Sequence, residues 1–464
     1  MSVTMRRVLI VSDDAVGSKM AGPAIRDWEY ARVLSQHCRV TLAVPNESDL
    51  APSDFQLRRY DSAEVAQAMA AESDVVVTSG YMLKRLPFLK TLSVPLVLSI
   101  PHSFVLENLQ HFVGDELPTQ WEVFEDSARV LNDQLEAGDF FICNSERQRD
   151  YWIGMLAAVG RVNPATFASD PSLRRLVDVV AFGLPDEPPQ HRSQVLKGVY
   201  KGIAPDAQVL FWGGGLYDWL DPLTLIRAMP QVLEERPHVA LFFAATRHPS
   251  PNVVEVSPMC RQAMALSDEM GLTDRSVFFH DWIPYAERDN YLIEADLGLS
   301  LHLDHVETRF AFRNRILDYI WAGLPIVATE GDTASELVQR YDLGVVVRYR
   351  DVSGLAHAIL QLLATPDLKA NYADRFAELV QAFRWRQTTR PLVRFCSDPY
   401  VAPDRTLRIP ASRLVSPAVV TKPWAPPAHS WGERWTKARN SLRQGGPSAL
   451  VCEILRYLIW KLER

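Results

Sequence analysis

The sequence predicts an α/β protein with two doubly wound parallel sheets, in two domains that face a central cleft. Short apolar runs alternate with longer amphipathic stretches, and this pattern occurs twice, on either side of the proline-rich segment 180–189. Continuous apolar runs are typical of strands buried on both faces, and the helices between them make such a sheet parallel. At 464 residues the chain is also too long for one ordinary core.

The first predicted domain, residues 1–185, contains β-branched or aromatic runs bounded by turn residues. We predict strands at 8–12, 40–45, 74–80, 95–100 and 139–145, and helices at 24–36 and 63–71. Ligands of doubly wound sheets lie beyond the carboxyl ends of the strands. Polar side chains that directly follow these runs, such as Asp13, Tyr81 and His102, are therefore expected to face a binding site.

The second predicted domain, residues 186–380, repeats the pattern. We predict strands at 207–215 with its glycine turn, 239–246, 276–284 with its turn, 295–303, 324–329 and 343–349. We predict helices at 222–233, 260–270, 286–295, 315–321 and from 352 to about 380. A crossover helix is expected at 381–398, followed at 399–464 by a proline-rich arm and an amphipathic tail with two short helices.

Composition limits the possible function classes. Hydrophobic residues make up 47% of the chain and charged residues 23%, which is typical of a soluble globular protein. The net charge of -7 argues against a nucleic-acid binder, because phosphate recognition needs a basic face. The five cysteines never form a C-x-x-C pair, so neither zinc nor a disulfide framework is expected. The first apolar run ends at two aspartates and no run reaches membrane-spanning length, which favours a cytoplasmic protein.

The segment 431–464 differs from the rest of the chain in charge. Aromatic and aliphatic residues alternate there with basic residues that outnumber the acidic ones. Such a segment suits peripheral contact with the anionic inner face of a membrane. It suits a partner protein, or packing against the chain itself, equally well.

The stretch 300–329, SLHLDHVETRFAFRNRILDYIWAGLPIVAT, predicts a strand, a polar loop, a helix from Arg315 to Trp321 and a second strand. Arg313 and Arg315 stand at the start of this helix, where backbone N–H groups have no partner within the helix. Two cations beside a helix N-terminus predict a binding site for an anion.

A glycine triplet follows the first strand of the second domain. In the segment WGGGLYDWLDP the triplet is Gly213, Gly214 and Gly215, and Tyr217 comes shortly after it. Glycine lets a ligand approach the backbone closely, and an aromatic ring can stack on a base or a sugar. Trp212, inside the strand, is expected in the core.

The glycine turn and the segment 318–329, DYIWAGLPIVAT, together resemble the retaining glycosyltransferases of family 4, which have the GT-B fold. The resemblance covers Arg7 to about Phe395. In that family the segment E-A-x-x-x-G-x-P-V-V-A-T binds the donor, and here Asp318 replaces the glutamate that holds the donor ribose. A carboxylate can accept hydrogen bonds from two vicinal hydroxyls. The blocks ETRFAFRNRILDYIWAGLP and HDWIPYAERDNYL are similar to a bacterial branch associated with surface-polysaccharide assembly.

The sequence departs from the family pattern beside the expected donor site. Phe310 stands where the family has its first glutamate. The nearest acid is Glu307, which either returns to the donor sugar through an altered loop or leaves that role unfilled. The basic pair that usually follows the glycine turn is also missing. The diphosphate charge would then be met by Arg313 and Arg315, with Arg309 as a further candidate.

The resemblance implies three groups of site residues. The expected catalytic residues are His102, Glu307 and Arg313, and His102 matches a histidine that such enzymes place near the donor sugar. The acceptor side is expected at Gly22, Pro23 and Arg26. No metal and no cofactor are expected, because retaining enzymes of this fold generally work without a bound metal. The expected donor-binding residues are Gly213, Gly214, Gly215, Tyr217, Trp282, Ile283, Arg309, Arg315 and Asp318, with Trp282 and Ile283 beside the nucleobase.

The resemblance implies a retaining hexosyltransferase. Such an enzyme takes a nucleotide-diphosphate sugar as donor and a saccharide or lipid-linked glycan as acceptor, in surface polysaccharide or lipopolysaccharide assembly. One alternative is a catalytically weak sugar-nucleotide-binding subunit of an assembly complex, motivated by Phe310 and the missing basic pair. A second is a sugar-nucleotide epimerase of the same fold, which acts on the donor alone.

Overall fold

The computed structural model describes residues 5–250 and 255–405 of the chain. Within them two parallel β-sheets follow one another along the sequence, the first with seven strands and the second with six. Helices connect most successive strands in both sheets. This architecture confirms the predicted fold class of two doubly wound α/β domains. The domain limits predicted above stay predictions.

The first sheet lies between residues 7 and 179. Its strands are β1 (Arg7–Val11), β2 (Arg39–Val44), β3 (Gln56–Arg59), β4 (Val75–Ser79), β5 (Leu96–Ser99), β6 (Phe140–Cys143) and β7 (Val177–Val179). They lie in the order β3-β2-β1-β4-β5-β6-β7. Beside a 3₁₀ helix at Pro87–Thr91, the helices are α1 (Gly22–Leu34), α2 (Ala63–Ala71), α3 (Met82–Arg85), α4 (Phe104–His111), α5 (Leu117–Ala137), α6 (Glu146–Ala158) and α7 (Pro164–Ser169).

The second sheet lies between residues 208 and 347. Its strands are β8 (Gln208–Trp212), β9 (Val239–Phe243), β10 (Val277–Phe279), β11 (Leu297–Ser300), β12 (Ile326–Thr329) and β13 (Gly344–Val347). They lie in the order β10-β9-β8-β11-β12-β13. Beside 3₁₀ helices at Tyr285–Glu287 and Val306–Phe310, the helices are α8 (Pro222–Glu235), α9 (Pro258–Glu269), α10 (Arg288–Glu294), α11 (Arg315–Trp321), α12 (Thr333–Arg340), α13 (Val352–Leu363) and α14 (Leu368–Ala382).

Two strands of the first sheet differ from the sequence prediction. The edge strand β3 was not predicted, because its sequence QLRR is polar and mostly exposed, so no apolar run marks it. The apolar residues at the start of the segment 180–189 also indicate a strand, but the last strand of this sheet, β7, ends at Val179. The residues directly after β7 therefore form the connection to the second domain.

Helix α11 is fixed tightly on the second sheet, and this contact positions the candidate site. The ring of Tyr319 lies over Gly298 of β11, where an added Cβ would come within 2.5 Å of the ring, so only glycine fits. The Tyr319 hydroxyl donates to the carbonyl of Leu299 at 2.8 Å and accepts from the backbone N–H of Gly213 at 2.8 Å. One buried side chain thus links α11 to the glycine turn after β8.

The chain returns to the first domain after α14. The short helices α15 (Trp385–Thr388) and α16 (Arg390–Ser397) pack there, with Trp385 against Tyr30 and Phe182, and Phe395 stacked on Phe140 at 4.8 Å between ring centroids. Beyond α16, a buried ion pair joins Arg161 Nε to Asp404 Oδ2 at 2.7 Å. These contacts tie the end of the second domain to the first.

Most of the predicted arm and all of the predicted tail lie outside the described residues, since the description ends at residue 405. The proposals made for 431–464 are therefore not addressed by the structure. In the part of the chain that is described, no helix combines the length and apolarity that crossing a membrane requires.

Candidate active site

A cavity of about 540 Å³ opens where the strand ends of the two sheets meet. The first domain lines it with the loops after β1, β4 and β5 and with the start of α1 and part of α4. The second domain lines it with the glycine turn after β8, the loop after β9 and the residues around the start of α11. The predicted site residues on its wall are Gly22, Pro23, Arg26, His102, Gly213, Gly214, Gly215, Tyr217, Trp282, Ile283, Arg313, Arg315 and Asp318.

Arg313 forms a buried two-point ion pair with Glu307. Its Nη1 and Nη2 donate to the two carboxylate oxygens at 3.1 and 2.7 Å, and its Nε lies 3.6 Å from Asp332 Oδ2. Burial lowers the pKa of Arg313, but the two carboxylates outweigh that effect and raise it. The positive charge of Arg313 is therefore neutralised within the protein. Glu307 lies behind Arg313 and does not line the cavity.

Arg315 is in a different electrostatic state. Its Nη2 donates to the carbonyl of Gly215 at 2.9 Å, and its guanidinium carbon lies 4.6 Å from the ring centroid of Trp212. No carboxylate among the described residues pairs with it, and its buried Nη1 has no hydrogen-bond partner there. Burial lowers the pKa of Arg315 to about 10. A buried cation with a free donor is suited to an incoming anion.

The glycine turn leaves space beside this cation. Gly214 has φ +76°, a left-handed conformation that glycine adopts without strain. A Cβ on Gly215 would come within 2.7 Å of the Tyr217 ring, so glycine is required there as well. The backbone of the turn can thus approach a ligand held by Arg315.

Asp318 lies one helical turn after Arg315 and also lines the cavity. Arg288 Nε lies 3.2 Å from Asp318 Oδ1, and its guanidinium carbon lies 3.8 Å from the ring centroid of Tyr285 and 4.7 Å from that of Trp321. Burial raises the pKa of Asp318, and Arg288 partly offsets this shift. Sequence reasoning missed Arg288, because nothing in the α10 sequence marks its first residue as a partner of α11.

His102 faces Glu107 on the wall contributed by the first domain. His102 Nε2 lies 3.7 Å from Glu107 Oε2, and both side chains line the cavity. Burial lowers the pKa of His102 to about 4, so the imidazole is neutral at pH 7. Burial, reinforced by the negative charge of Glu307, raises the pKa of Glu107 to about 8. Glu107 was not predicted as a site residue, because it lies inside a helix rather than directly after a strand.

Residues 207–365 match the family model described as glycosyl transferases group 1. The match lies within the second domain. The matched residues include the glycine turn, Arg313, Arg315 and Asp318, and so cover the second-domain wall of the cavity. A comparison with curated protein sequences gives no significant match.

Solved structures resemble the chain across both sheets. Sucrose-phosphate synthase from Thermosynechococcus elongatus has a TM-score of 0.63 at 16% identity, over 84% of this chain and 98% of that one. WaaG, a glycosyltransferase involved in lipopolysaccharide biosynthesis, has a TM-score of 0.58 at 15% identity, over 84% of this chain and all (100%) of its own. The Anabaena protein HepE, solved in complex with UDP and glucose, has a TM-score of 0.55 at 15% identity, over 84% and 99%. Likeness at such identities shows the fold, which is GT-B.

The predicted nucleobase residues of the second domain lie at a contact with the first domain. Trp282 Nε1 donates to the carbonyl of Met20 at 3.2 Å, and the Trp282 ring lies 5.4 Å from that of His248. Ile283 lines the cavity beside it. Two residues further on, the Tyr285 backbone N–H donates to the carbonyl of Ser18 at 2.8 Å. The loop before α1 therefore closes one end of the cavity.

The predicted acceptor-side residues lie at the start of α1. A Cβ on Gly22 would lie 3.4 Å from Nδ2 of Asn314, so this helix start is close to the second domain. Pro23 is in the first turn, a position that proline favours. Arg26 is buried, its Nη2 lies 3.5 Å from Asn144 Oδ1, and its Nε has no hydrogen-bond partner among the described residues.

Arg309 and Phe310 lie away from the cavity, so the structure does not bring Arg309 to the expected donor site. Arg309 is exposed, and its backbone carbonyl accepts from Arg147 Nη1 at 3.2 Å. The Phe310 carbonyl accepts from Gln148 Nε2 at 2.7 Å, and the Phe310 ring lies 4.8 Å from that of Tyr151. This segment forms an interdomain contact on α6, and Arg309 contributes no charge to the cavity wall.

A second interdomain contact predicts a pH effect. His111 at the end of α4 pairs with Asp218 after the glycine turn. The hydrogen bond to Asp218 raises the pKa of His111 despite partial burial, with a smaller contribution from Asp115. A raised pKa means that the charged contact is fully formed below the ordinary histidine pKa of about 6.5 and is lost as pH rises through the raised value. We expect nucleotide affinity to fall about two- to fivefold across that change.

Titration calorimetry between about pH 5.5 and 8.5 measures this effect. His111→Gln and Asp218→Asn should each remove this component of the pH dependence, whereas His37→Gln, on an exposed turn, should retain it. If the His111→Gln protein kept the wild-type pH profile, the contact would play no part in the pH dependence of nucleotide affinity.

Proposed function

We propose that the protein is a retaining glycosyltransferase that moves a hexosyl unit from a nucleotide-diphosphate sugar to a saccharide or lipid-linked glycan in surface-polysaccharide assembly. The observation that carries this proposal is the juxtaposition of Arg315 and Asp318. An unpaired buried cation beside a glycine turn suits a diphosphate, and a carboxylate one helical turn away suits a ribose diol. A nucleoside diphosphate combines both groups.

We assign separate roles to the two arginines of this stretch. Arg315 Nη1 and the backbone N–H groups of the glycine turn stabilise the charge that develops on the departing diphosphate. Arg313 is neutralised by Glu307, so its contribution is to hold the segment before α11 in place. The diphosphate therefore rests mainly on Arg315.

The sugar extends from the diphosphate towards the first domain, where His102 lines the cavity. As a neutral imidazole, His102 can accept a hydrogen bond from a sugar hydroxyl or donate one to an oxygen atom. The acceptor hydroxyl enters from the side of Gly22, Pro23 and Arg26 and attacks on the face from which the diphosphate departs. The interdomain contacts restrict water in the closed cavity and so limit hydrolysis of the donor.

The comparisons support the donor and acceptor classes. The family match covers the domain to which the donor is assigned. Among proteins of the same fold, HepE was solved with UDP and glucose, and WaaG is described as acting in lipopolysaccharide biosynthesis. These descriptions belong to those proteins, and they agree with a nucleotide sugar and a surface glycan as substrates here.

A donor panel tests the proposal. The full-length protein is incubated with UDP-, GDP- and ADP-hexoses, with and without oligosaccharide acceptors, and released nucleoside diphosphate is measured. We expect release from at least one donor, faster with a suitable acceptor, and NMR of the product should show the anomeric configuration of the donor. Binding of nucleotide sugars without any release would instead support a binding subunit. Conversion of the donor sugar without transfer would support an epimerase.

Replacing Asp318 with asparagine tests the ribose assignment. A hydrogen bond to a charged group contributes about 1.5–3 kcal/mol, so the affinity for a nucleoside diphosphate should fall roughly 10- to 100-fold in calorimetry. Asparagine can still accept the bond from Arg288, which keeps the local packing. Asp342→Asn is the matched control, because Asp342 also pairs with an arginine, Arg375, but on the exposed surface. Equal affinities in the two variants would exclude Asp318 from the donor site.

A further inference from the structure

Glu107 is an acid on the cavity wall whose position no motif predicted. It lies in α4, and its side chain lines the cavity with only 17% of its surface exposed. Two contacts fix the position of helix α4. It packs on the 3₁₀ helix Val306–Phe310, and its last residue, His111, pairs with Asp218 of the second domain. Glu107 is therefore presented to the cavity by a fixed element.

The carboxyl group of Glu107 has no strong partner among the described residues. The Nε2 atom of the neutral His102 imidazole lies 3.7 Å from Glu107 Oε2, beyond hydrogen-bonding distance. Glu307, in contrast, has both oxygens bound by Arg313. Of these two acids, only Glu107 is both on the wall and free to bind a ligand. A buried carboxyl group without a partner gains most from a ligand that supplies hydroxyl groups.

Glu107 also lies near the diphosphate position. Arg315, Tyr217 after the glycine turn, and Glu107 all line the same cavity. A ligand whose diphosphate binds at Arg315 would extend its hexose into this shared cavity, where Glu107 and His102 form part of the wall. This step rests on the proposed function, because it takes the diphosphate site as given.

We infer that the Glu107 carboxyl group binds hydroxyl groups of the transferred hexose, so that the first domain supplies the acid that recognises the donor sugar. The raised pKa of Glu107, about 8, means that the group is mainly protonated at pH 7 before ligand binding. A protonated carboxyl group both donates and accepts a hydrogen bond, and a sugar hydroxyl can satisfy both. Glu107 thereby selects donors by their hydroxyl pattern, while Arg315 and Asp318 bind the nucleotide part.

The test compares two ligands on the same protein. Calorimetry measures the affinity of wild type and Glu107→Ala for a nucleotide hexose and for the corresponding nucleoside diphosphate. We expect the variant to bind the nucleoside diphosphate within twofold of wild type, which also shows that it folds. Its affinity for the nucleotide hexose should fall about fivefold to tenfold further. Glu107→Gln should recover most of the loss, since an amide also donates and accepts.

Glu122→Ala, on the exposed start of α5, is the control and should leave both affinities unchanged. Donors that lack one sugar hydroxyl sharpen the result, because Glu107→Ala should no longer discriminate against the analogue whose hydroxyl Glu107 binds. Equal losses for both ligands, or no loss for either, would overturn the inference. The inference about Glu107 is tested by binding, so it can be overturned while donor turnover by wild type still supports the proposed function. If wild type showed this selective binding but no donor turnover, only the proposed transferase activity would be overturned.

Discussion

Donor turnover should fall at least 100-fold when Arg315 is replaced by methionine. Removal of one preorganised donor from a site of developing charge typically lowers kcat by about 100- to 1,000-fold. Arg315 has the largest expected effect because its buried guanidinium lies beside the glycine turn, where the described residues give it no carboxylate partner and leave Nη1 without a hydrogen bond. Neutralised Arg313 cannot replace it. The measurement is kcat/KM for nucleoside diphosphate release with the best donor of the panel.

The stability of the same variant separates a binding role from a structural one. An unpaired guanidinium loses hydration on burial, so methionine should leave the melting temperature equal to or higher than that of wild type. Arg309→Met is the control, since Arg309 is exposed outside the cavity and its loss should not change turnover. The turnover of Arg315→Lys should fall between those of wild type and Arg315→Met, because lysine keeps the charge but loses the planar set of donors. If the Arg315→Met protein were both active and stable, the assignment of the diphosphate to this site would be wrong.

The sequence predicted the parts of the fold and site that local pattern controls. Buried strands such as β4 and β12 begin with runs of three apolar residues, and a parallel sheet follows from the helices between such strands. Arg315 and Asp318 could be assigned together because three residues of helix place them on one face. Strand β3 was missed because an edge strand with polar side chains carries no periodic signal.

The missing parts depend on contacts between distant segments. Arg288 meets Asp318 from α10, and Glu107 reaches the cavity from the other domain. No feature of the sequence near residue 107 or residue 288 predicts these contacts. For Glu307 the sequence left two readings open, since the path of a loop is not set by spacing. In the structure the carboxylate points to Arg313, which favours a structural role.

That role makes a further prediction with a large effect. Replacing Glu307 with alanine should lower the free energy of unfolding by about 3 kcal/mol or more, because it leaves Arg313 as a buried cation with only the more distant Asp332 nearby. Denaturant unfolding followed by tryptophan fluorescence measures this loss. Glu336→Ala is the matched control, since Glu336 pairs with Arg147 at the surface and should contribute less than about 1 kcal/mol.

A double variant decides between the two readings of Glu307. If its carboxylate serves mainly to neutralise Arg313, replacing both residues in Glu307→Leu/Arg313→Met should recover much of the stability lost in Glu307→Ala, because apolar replacements of a buried pair are often neutral or stabilising. If Glu307 instead binds the sugar, Glu307→Gln should weaken nucleotide-hexose binding while leaving stability and nucleoside diphosphate binding unchanged. We expect the first result, since both oxygens of Glu307 are already bound by Arg313 and Glu307 does not line the cavity.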